Sequence, residues 1–562
     1  MNSTASLKLR YKYTTYLLCT AWISLFFAAS AIAAPDPNDA KEINELKRQV
    51  AEHQRQIEEL RAIIQEQARL IGNNGTATGT KTRLAATIES LPKTETASVA
   101  PILPSTVAAA PSALSPVQKK EEGQESPLQF RLGSTYFTPV GFMDFTSVFR
   151  DTDPGSNIGT NFGSIPYRTQ SNVAGNLSEF RLSPQNSRLG MRIDAMVQGA
   201  KVLGYWESDF LGGTGNPPVG NISVSSNSYP FRLRLYWVDV RKGKFEFLGG
   251  QTWSLLTPGR KGISPLPGDL FYTNAIDVNY QLGLVWGRIP EFRMVYHPSD
   301  KVTIAVALGN AEQYIGGSGG AGTIVIPTNL ATSYAGQLNN GTTTLNVPNL
   351  HPDIIAKIAF DPINKFHFEI GAVTRTFRTY NPLTAQHFTS AGAGFQANLN
   401  VELVKNFRFV TNNYWSDGGG RYIFGQAPDL VVRADGTISP LKSASTVTGF
   451  EFTHKNFMAY TYYGGVYVAR NIVVDPSDGN LSGYGFAGSS NSQNRSIQEG
   501  TIGFTNTFWK DPRYGAISLM AQYSYFVRNP WFVAPGMPKN THMNEIWLNL
   551  RYALPGSAPS PK

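Results

Sequence analysis

The stretch YPFRLRLYWVDV, Tyr229 to Val240, decides the fold class. Its arginines, Arg232 and Arg234, are interleaved with Phe231, Leu233, Leu235 and Trp237. Successive side chains of an extended chain point to opposite faces. The stretch therefore sets four large apolar groups on one face against two guanidinium groups and Tyr236 on the other. A soluble core excludes two full charges, and a soluble surface gains nothing from four large apolar residues on one side. A wall with lipid on one side and water on the other accepts both.

The same alternation recurs from Leu128 onward. GFQANLNVEL sets Phe395, Ala397, Leu399, Val401 and Leu403 against Gln396, Asn398, Asn400 and Glu402. SRLGMRIDA separates Leu189, Met191 and Ile193 from Arg188, Arg192 and Asp194, and AISLMAQYSYFVR separates Ile517, Leu519, Tyr523 and Tyr525 from Ser518, Gln522, Ser524 and Arg528. Period-two alternation of this length predicts half-buried strands. Counting such segments from 140–150 to 543–553 gives about 16. Short turns such as Arg241-Lys242-Gly243 alternate with long gaps at 151–178, 212–229, 255–283, 310–352, 417–443 and 471–494. One-sided loop lengths of this kind belong to an outer-membrane barrel. The expected fold is an all-β transmembrane β-barrel of about 16 antiparallel strands over residues 128–553, with an N-terminal α-helical coiled coil and a C-terminal tail at 554–562.

Composition agrees. Charged residues make up 16% of the 562, against roughly 25% in soluble domains, while aromatics reach 12% and glycine 53 residues. Lys8, Arg10 and Lys12 precede an apolar run that ends in Ala31-Ile32-Ala33, so residues 1–33 read as a secretory signal peptide. Cys19, the one cysteine, lies inside it, leaving no thiol chemistry in the mature chain. Residues 36–72 carry Ile43, Val50, Ile57, Ile64 and Ile71 at sevenfold spacing, with Leu46 and Leu60 three residues after Ile43 and Ile57. This heptad pattern predicts a coiled coil and hence an oligomer; Ile at a with Leu at d leans towards two strands, which the polar His53 and Gln67 layers weaken. Residues 73–127 turn to Thr, Ala, Ser and Pro and read as an extended linker.

With apolar side chains against lipid, the polar face lines water. Alternation places Arg188, Arg192, Arg232, Arg234, Arg293, Arg375 and Arg528 inward, together with Glu207, Asp209, Glu291 and Glu369. Arginine rings favour anions, and the guanidinium fork fits carboxylate or phosphate oxygens; the alternative is that these arginines pair with the acids and stiffen the wall. The segment 255–283, rich in Pro, Gly and aromatics, is expected to fold into the lumen and narrow it, with Arg260 and Lys261 as charges at the narrowing. The seven histidines form no metal or nucleophile constellation, so neither enzyme nor cofactor is expected. Basic residues scattered at lumen positions, rather than gathered with aromatics in one patch, argue against nucleic acid.

The motifs SRLGMR at 187–192, YWESDFLG at 205–212, FRLRLYWVDV at 231–240, LGGQTWSLL at 248–256 and GRYIFGQAPDLVV at 420–432 resemble the DcaP-type porins of bacterial outer membranes. That resemblance implies a homotrimer with a periplasmic coiled coil, uptake of small anions such as dicarboxylates, and a constriction formed by the loop after the fifth strand. It also implies substrate contacts at Arg188, Arg192, Arg232 and Arg234. The chain departs from the pattern of many such barrels at its end, where IWLNLRYAL is followed by PGSAPSPK instead of ending on an aromatic residue. The second reading is an envelope tether, with the coiled coil reaching the cell wall.

Overall fold

The computed structural model describes residues 128–555 apart from 213–228, 272, 318–319, 342–346 and 477, together with positions 48 and 55. The expected signal peptide, coiled coil, linker and most of the tail lie outside the described residues, although Arg48 and Arg55 are helical. The chain divides into two compact units, 1–97 and 98–562, and every strand described lies in the second.

Sixteen antiparallel strands form one closed barrel. The first eight positions are Thr135–Arg150, Glu179–Ser183 continued by Arg188–Val197, Ala200–Asp209, Arg232–Lys242, Phe245–Trp253, Arg288–Ser299, Val302–Gly309 and Asp353–Ile363. The next eight are Phe366–Asn381, Gln386–Val404, Phe407–Asp417, Lys442–His454, Phe457–Val468, Asn494–Asp511, Gly515–Pro530 and Thr541–Ala553. The second position is broken at Pro184, yet both halves pair with the first strand. Closure comes from the sixteenth strand, which pairs with the first from Phe142↔Ala553 to Arg150↔Glu545. Closing the sheet removes every unpaired backbone edge, which lipid would not satisfy.

The alternation read from the sequence appears directly as exposure. Phe395 is 50% exposed and Gln396 0%, while Leu548 is 52% exposed and Asn549 1%. Phe145, Phe149, Phe292, Met294, Leu308, Ile354 and Ile358 cover the outside. At one end the strands turn back in a couple of residues; Gln198 and Gly199, with φ of 49° and 77°, form such a turn. Two consecutive left-handed residues match the right-handed twist of the flanking strands. At the other end the connections are long, with one exception. The ninth and tenth strands, 16 and 19 residues long, rise beyond their neighbours and close at Asn381↔Gln386. Their projecting hairpin props the loop 310–352, because Gln337 both donates to the Tyr380 carbonyl at 2.9 Å and accepts from its N–H at 2.7 Å.

The opening stretch departs from simple alternation. The ladder between the third and fourth strands pairs Glu207 with Leu235 and Ser208 with Leu233, leaving Arg234 as an extra residue. Such a bulge shifts the facing of everything beyond it. Phe231 and Leu233 face outward as expected, and Arg232 and Arg234 inward. Leu235 and Trp237, expected against lipid, are instead buried inside at 0% and 2%, and Tyr236, expected in the lumen, is 64% exposed outside.

The interior is packed. Leu235, Trp237, Tyr205, Leu248 and Trp253 from one wall meet Leu270, Phe271, Tyr280, Leu284 and Trp286 of the loop between the fifth and sixth strands, with Val410, Val447, Tyr460 and Tyr462 from the far wall. A second cluster joins loop residues Ile315, Leu330, Tyr334, Ile423 and Val431 to barrel residues such as Val373, Phe377 and Val466. Burying an aromatic or large aliphatic side chain stabilises by roughly 1.5–3 kcal/mol, so these clusters hold the loops against the wall.

Candidate functional site in the barrel lumen

The loop 254–287 enters the lumen and lines the far wall with its backbone. Leu255 N–H donates to Glu291, Gly259 N–H to Glu369 at 3.0 Å, and Gly262 N–H to Asp361 at 2.9 Å. Further along, Asn274 N–H donates to the Tyr462 hydroxyl at 3.1 Å, Leu282 N–H to Glu499 at 2.8 Å and Val285 N–H to Asn412 at 3.3 Å. The contacts run through the sixth, eighth, ninth, eleventh, thirteenth and fourteenth strands. A loop brought inside a barrel must satisfy its amides without water, and wall carboxylates do so here. Glu291 and Glu369, expected as pore acids, are therefore spoken for by loop amides as well as by cations.

The two charges expected at the narrowing differ. Arg260 makes a bidentate pair with Glu451 at 2.8 and 2.9 Å, and Phe271 lies 5.1 Å from its guanidinium carbon. Lys261 is exposed.

The seven wall arginines fall into separate settings. Arg293 donates to Glu291 at 2.9 Å and to the Trp253 carbonyl at 2.7 Å. Arg375 bridges Asp353 at 3.0 Å and Asp429 at 2.7 Å, tying the ninth strand to the loop 418–441. Arg528 reaches Asn494 and the carbonyls of Ile165 and Asn491, with Tyr167 stacked 5.0 Å away, and so holds two long loops. Arg192 pairs with Asp194 at 2.8 Å. These side chains hold loops and wall together.

Arg188, Arg232 and Arg234 are brought together. Arg232 grips Asp209 through two bonds at 2.7 and 2.9 Å. Arg234 donates to Glu207 at 2.6 Å and to Asp209 at 2.8 Å, and Arg188 lies 3.5 Å from Glu207. A fourth guanidinium, Arg288, interacts electrostatically with Arg232, Arg234 and Asp209 and stacks 5.7 Å from the Trp253 ring. Among the described residues, four cations here meet two carboxylates, a local excess of positive charge. Arg288 Nε and Nη1 and Arg232 Nη1 are buried without a hydrogen-bond acceptor from the protein. Guanidinium donors without a protein acceptor, beside a local excess of positive charge, attract a carboxylate.

Arg288 escapes a pattern reading. Counted back from inward-facing Glu291 and Arg293, it falls on the outward parity. As the first residue of its strand, however, it follows the incoming loop and turns in beside Trp253.

The fold that carries this site, a sixteen-stranded barrel with long loops at one end and a loop folded inside, is that of outer-membrane channels. In particular, the barrel is similar to the crystal structure of the outer membrane channel DcaP of Acinetobacter baumannii, at 15% identity and a TM-score of 0.53, over 77% of this chain and 100% of that one. It is also similar to an anion-selective porin from Comamonas acidovorans (11% identity, TM-score 0.42, 75% and 100% coverage) and to OmpF of Salmonella typhi (8%, 0.39, 76% and 100%). No family model matches the chain, and no curated protein sequence does.

Proposed function

We propose that the chain is an outer-membrane porin: a passive channel for small hydrophilic solutes that prefers small anions such as dicarboxylates. The apolar outside of a closed barrel supports the membrane setting. The observation that carries the anion preference is the guanidinium excess at Arg188, Arg232, Arg234 and Arg288, together with the open donors of Arg288 and Arg232. A solute carboxylate would replace the acceptors these donors lack, bind briefly and leave down its gradient. Of the arginines expected at the substrate, Arg232 is best placed to touch it, and Arg188 and Arg234 act by holding the charge of Glu207 and Asp209.

The heptads between Ile43 and Ile71 support an assembly of copies through the N-terminal segment on the periplasmic side, and the resemblance read from the sequence makes that assembly a trimer. Reversal potentials in a lipid bilayer under a potassium chloride gradient test the preference. Anion selectivity is expected, and clear cation selectivity overturns the reading. Deleting residues 35–127 separates transport from a tethering role. Retained conductance with a lost envelope-integrity phenotype would make the N-terminal segment a tether.

A further inference from the structure

The lumen loop 254–287 is fastened at two places by different chemistry. Around Gly259–Gly262 cations and acids are matched: Arg260 with Glu451, Lys357 with Glu369 at 2.9 Å, and His367 between Asp361 at 2.9 Å and Glu369 at 3.2 Å. Around Ile276–Leu282 they are not.

There the Asp277 carboxylate, fully buried, accepts from Thr160 N–H at 3.3 Å and Asn279 N–H at 2.7 Å, while its Oδ2 meets no donor. Glu545 of the sixteenth strand, equally buried, accepts from the Thr160 hydroxyl at 2.6 Å and from Arg150 at 2.5 Å, and its Oε2 is also without a donor. Glu499 of the fourteenth strand accepts from Leu282 N–H and, at 2.7 Å, from the Thr501 hydroxyl. Ile276 N–H donates to the neutral Gln522 side chain. Among the described residues, the cation facing Asp277 and Glu545 is Arg150 of the first strand, which also holds Glu179 of the second at 2.6 Å. Carboxylates that crowd one cation in a dry site cannot all ionise without repelling one another.

We propose that this clasp is a proton-operated hold on the loop. With the acids partly protonated, the Ile276–Leu282 end stays docked. Their ionisation loosens that end while the matched Gly259–Gly262 end stays anchored, and the loop eases from the wall and widens the lumen. The inference rests on the channel reading given above.

Burial, followed by the charge of Glu545, pushes the Asp277 carboxyl up to about 7. The docked state therefore binds a proton that the released state gives up. Its extra stability is complete below the ordinary carboxylate range, falls steadily as pH rises from about 4, and is gone above about 7. The balance between docked and released loop therefore shifts between about pH 4 and about pH 7, by up to roughly tenfold per pH unit, and is flat above that.

Single-channel conductance of the full chain, recorded across that interval at fixed salt, tests the clasp. The wild type is expected to step to a higher conductance as pH rises. Asp277→Asn, which keeps the acceptor for Thr160 and Asn279 but cannot ionise, is expected to stay at the low level throughout. Glu499→Gln, at the adjacent anchor, should shrink the step and serves where the first variant fails to fold. A wild-type conductance flat with pH, or a step undiminished in a folded variant, overturns the proposal. Reversal potentials from the same recordings report the anion preference independently, so the two readings fail separately.

Discussion

The guanidinium of Arg288 stacks on Trp253 with 5.7 Å between its central carbon and the ring centroid, and two of its nitrogens find no acceptor in the protein. An arginine left this way in a buried setting is poised for a partner from outside. Replacing Arg288 with Gln keeps the site polar and removes the open donors. The variant should fold as the wild type does and show a smaller anion preference in reversal-potential measurements. Replacing Arg234 is a poorer probe, because it would also remove the cation that bridges Glu207 and Asp209.

Arg375 tests the structural role of the other arginines. It joins Asp353 to Asp429, all three being buried. Arg375→Met leaves Asp353 and Asp429 with only the more distant Arg421, 3.6 Å from Asp353, and breaking a buried pair in this way costs about 3–5 kcal/mol. The midpoint of urea unfolding should fall accordingly, with ion selectivity unchanged in the protein that remains folded.

The slip at Arg234 makes a prediction about sides. Tyr236 faces outward and Trp237 inward. Tyr236→Lys puts a charge on the lipid face, at a cost of about 2–4 kcal/mol near mid-bilayer, and should impair folding into lipid vesicles. Trp237→Ala instead leaves a cavity beside Tyr205, Leu248 and Trp253, at about 3–5 kcal/mol. It should lower stability in detergent and in lipid alike. Unbroken alternation would reverse the two outcomes.

Gly283 marks where the loop lies closest to the wall. Its φ is +87°, and a Cβ there would sit 2.5 Å from the Thr446 carbonyl oxygen and 2.7 Å from that of Gly465. Gly283→Ala should lift the loop from the twelfth and thirteenth strands. Single-channel conductance should change while the barrel, read by its circular dichroism, does not.

Much of this barrel was legible in the sequence because lipid on one face and water on the other impose a two-residue period, repeated over strands joined by short turns at one end and long loops at the other. Segments such as GFQANLNVEL, SRLGMRIDA and AISLMAQYSYFVR face as their alternation requires, and the strand number follows from counting them. What alternation does not encode is a single extra residue. The bulge at Arg234 reverses Leu235, Tyr236 and Trp237 while the apolar spacing looks unbroken. Nor does it encode how a loop will spend the wall's acids. Glu291, Glu369 and Glu451 carry the polar parity of pore residues, but their acceptors go to loop amides and to Arg260. The hairpin at Asn381–Gln386 was hidden for a related reason: above the apolar band its strands continue in polar residues that read as a loop.

Single-channel recording of the full chain with a small dicarboxylate added, set beside the same recording for Arg288→Gln, decides whether these guanidinium groups meet the solute. Transient blocking of the wild-type current is expected, with events that become briefer and rarer in the variant. A wild-type current untouched by dicarboxylate, or blocking that Arg288→Gln leaves unchanged, would contradict it.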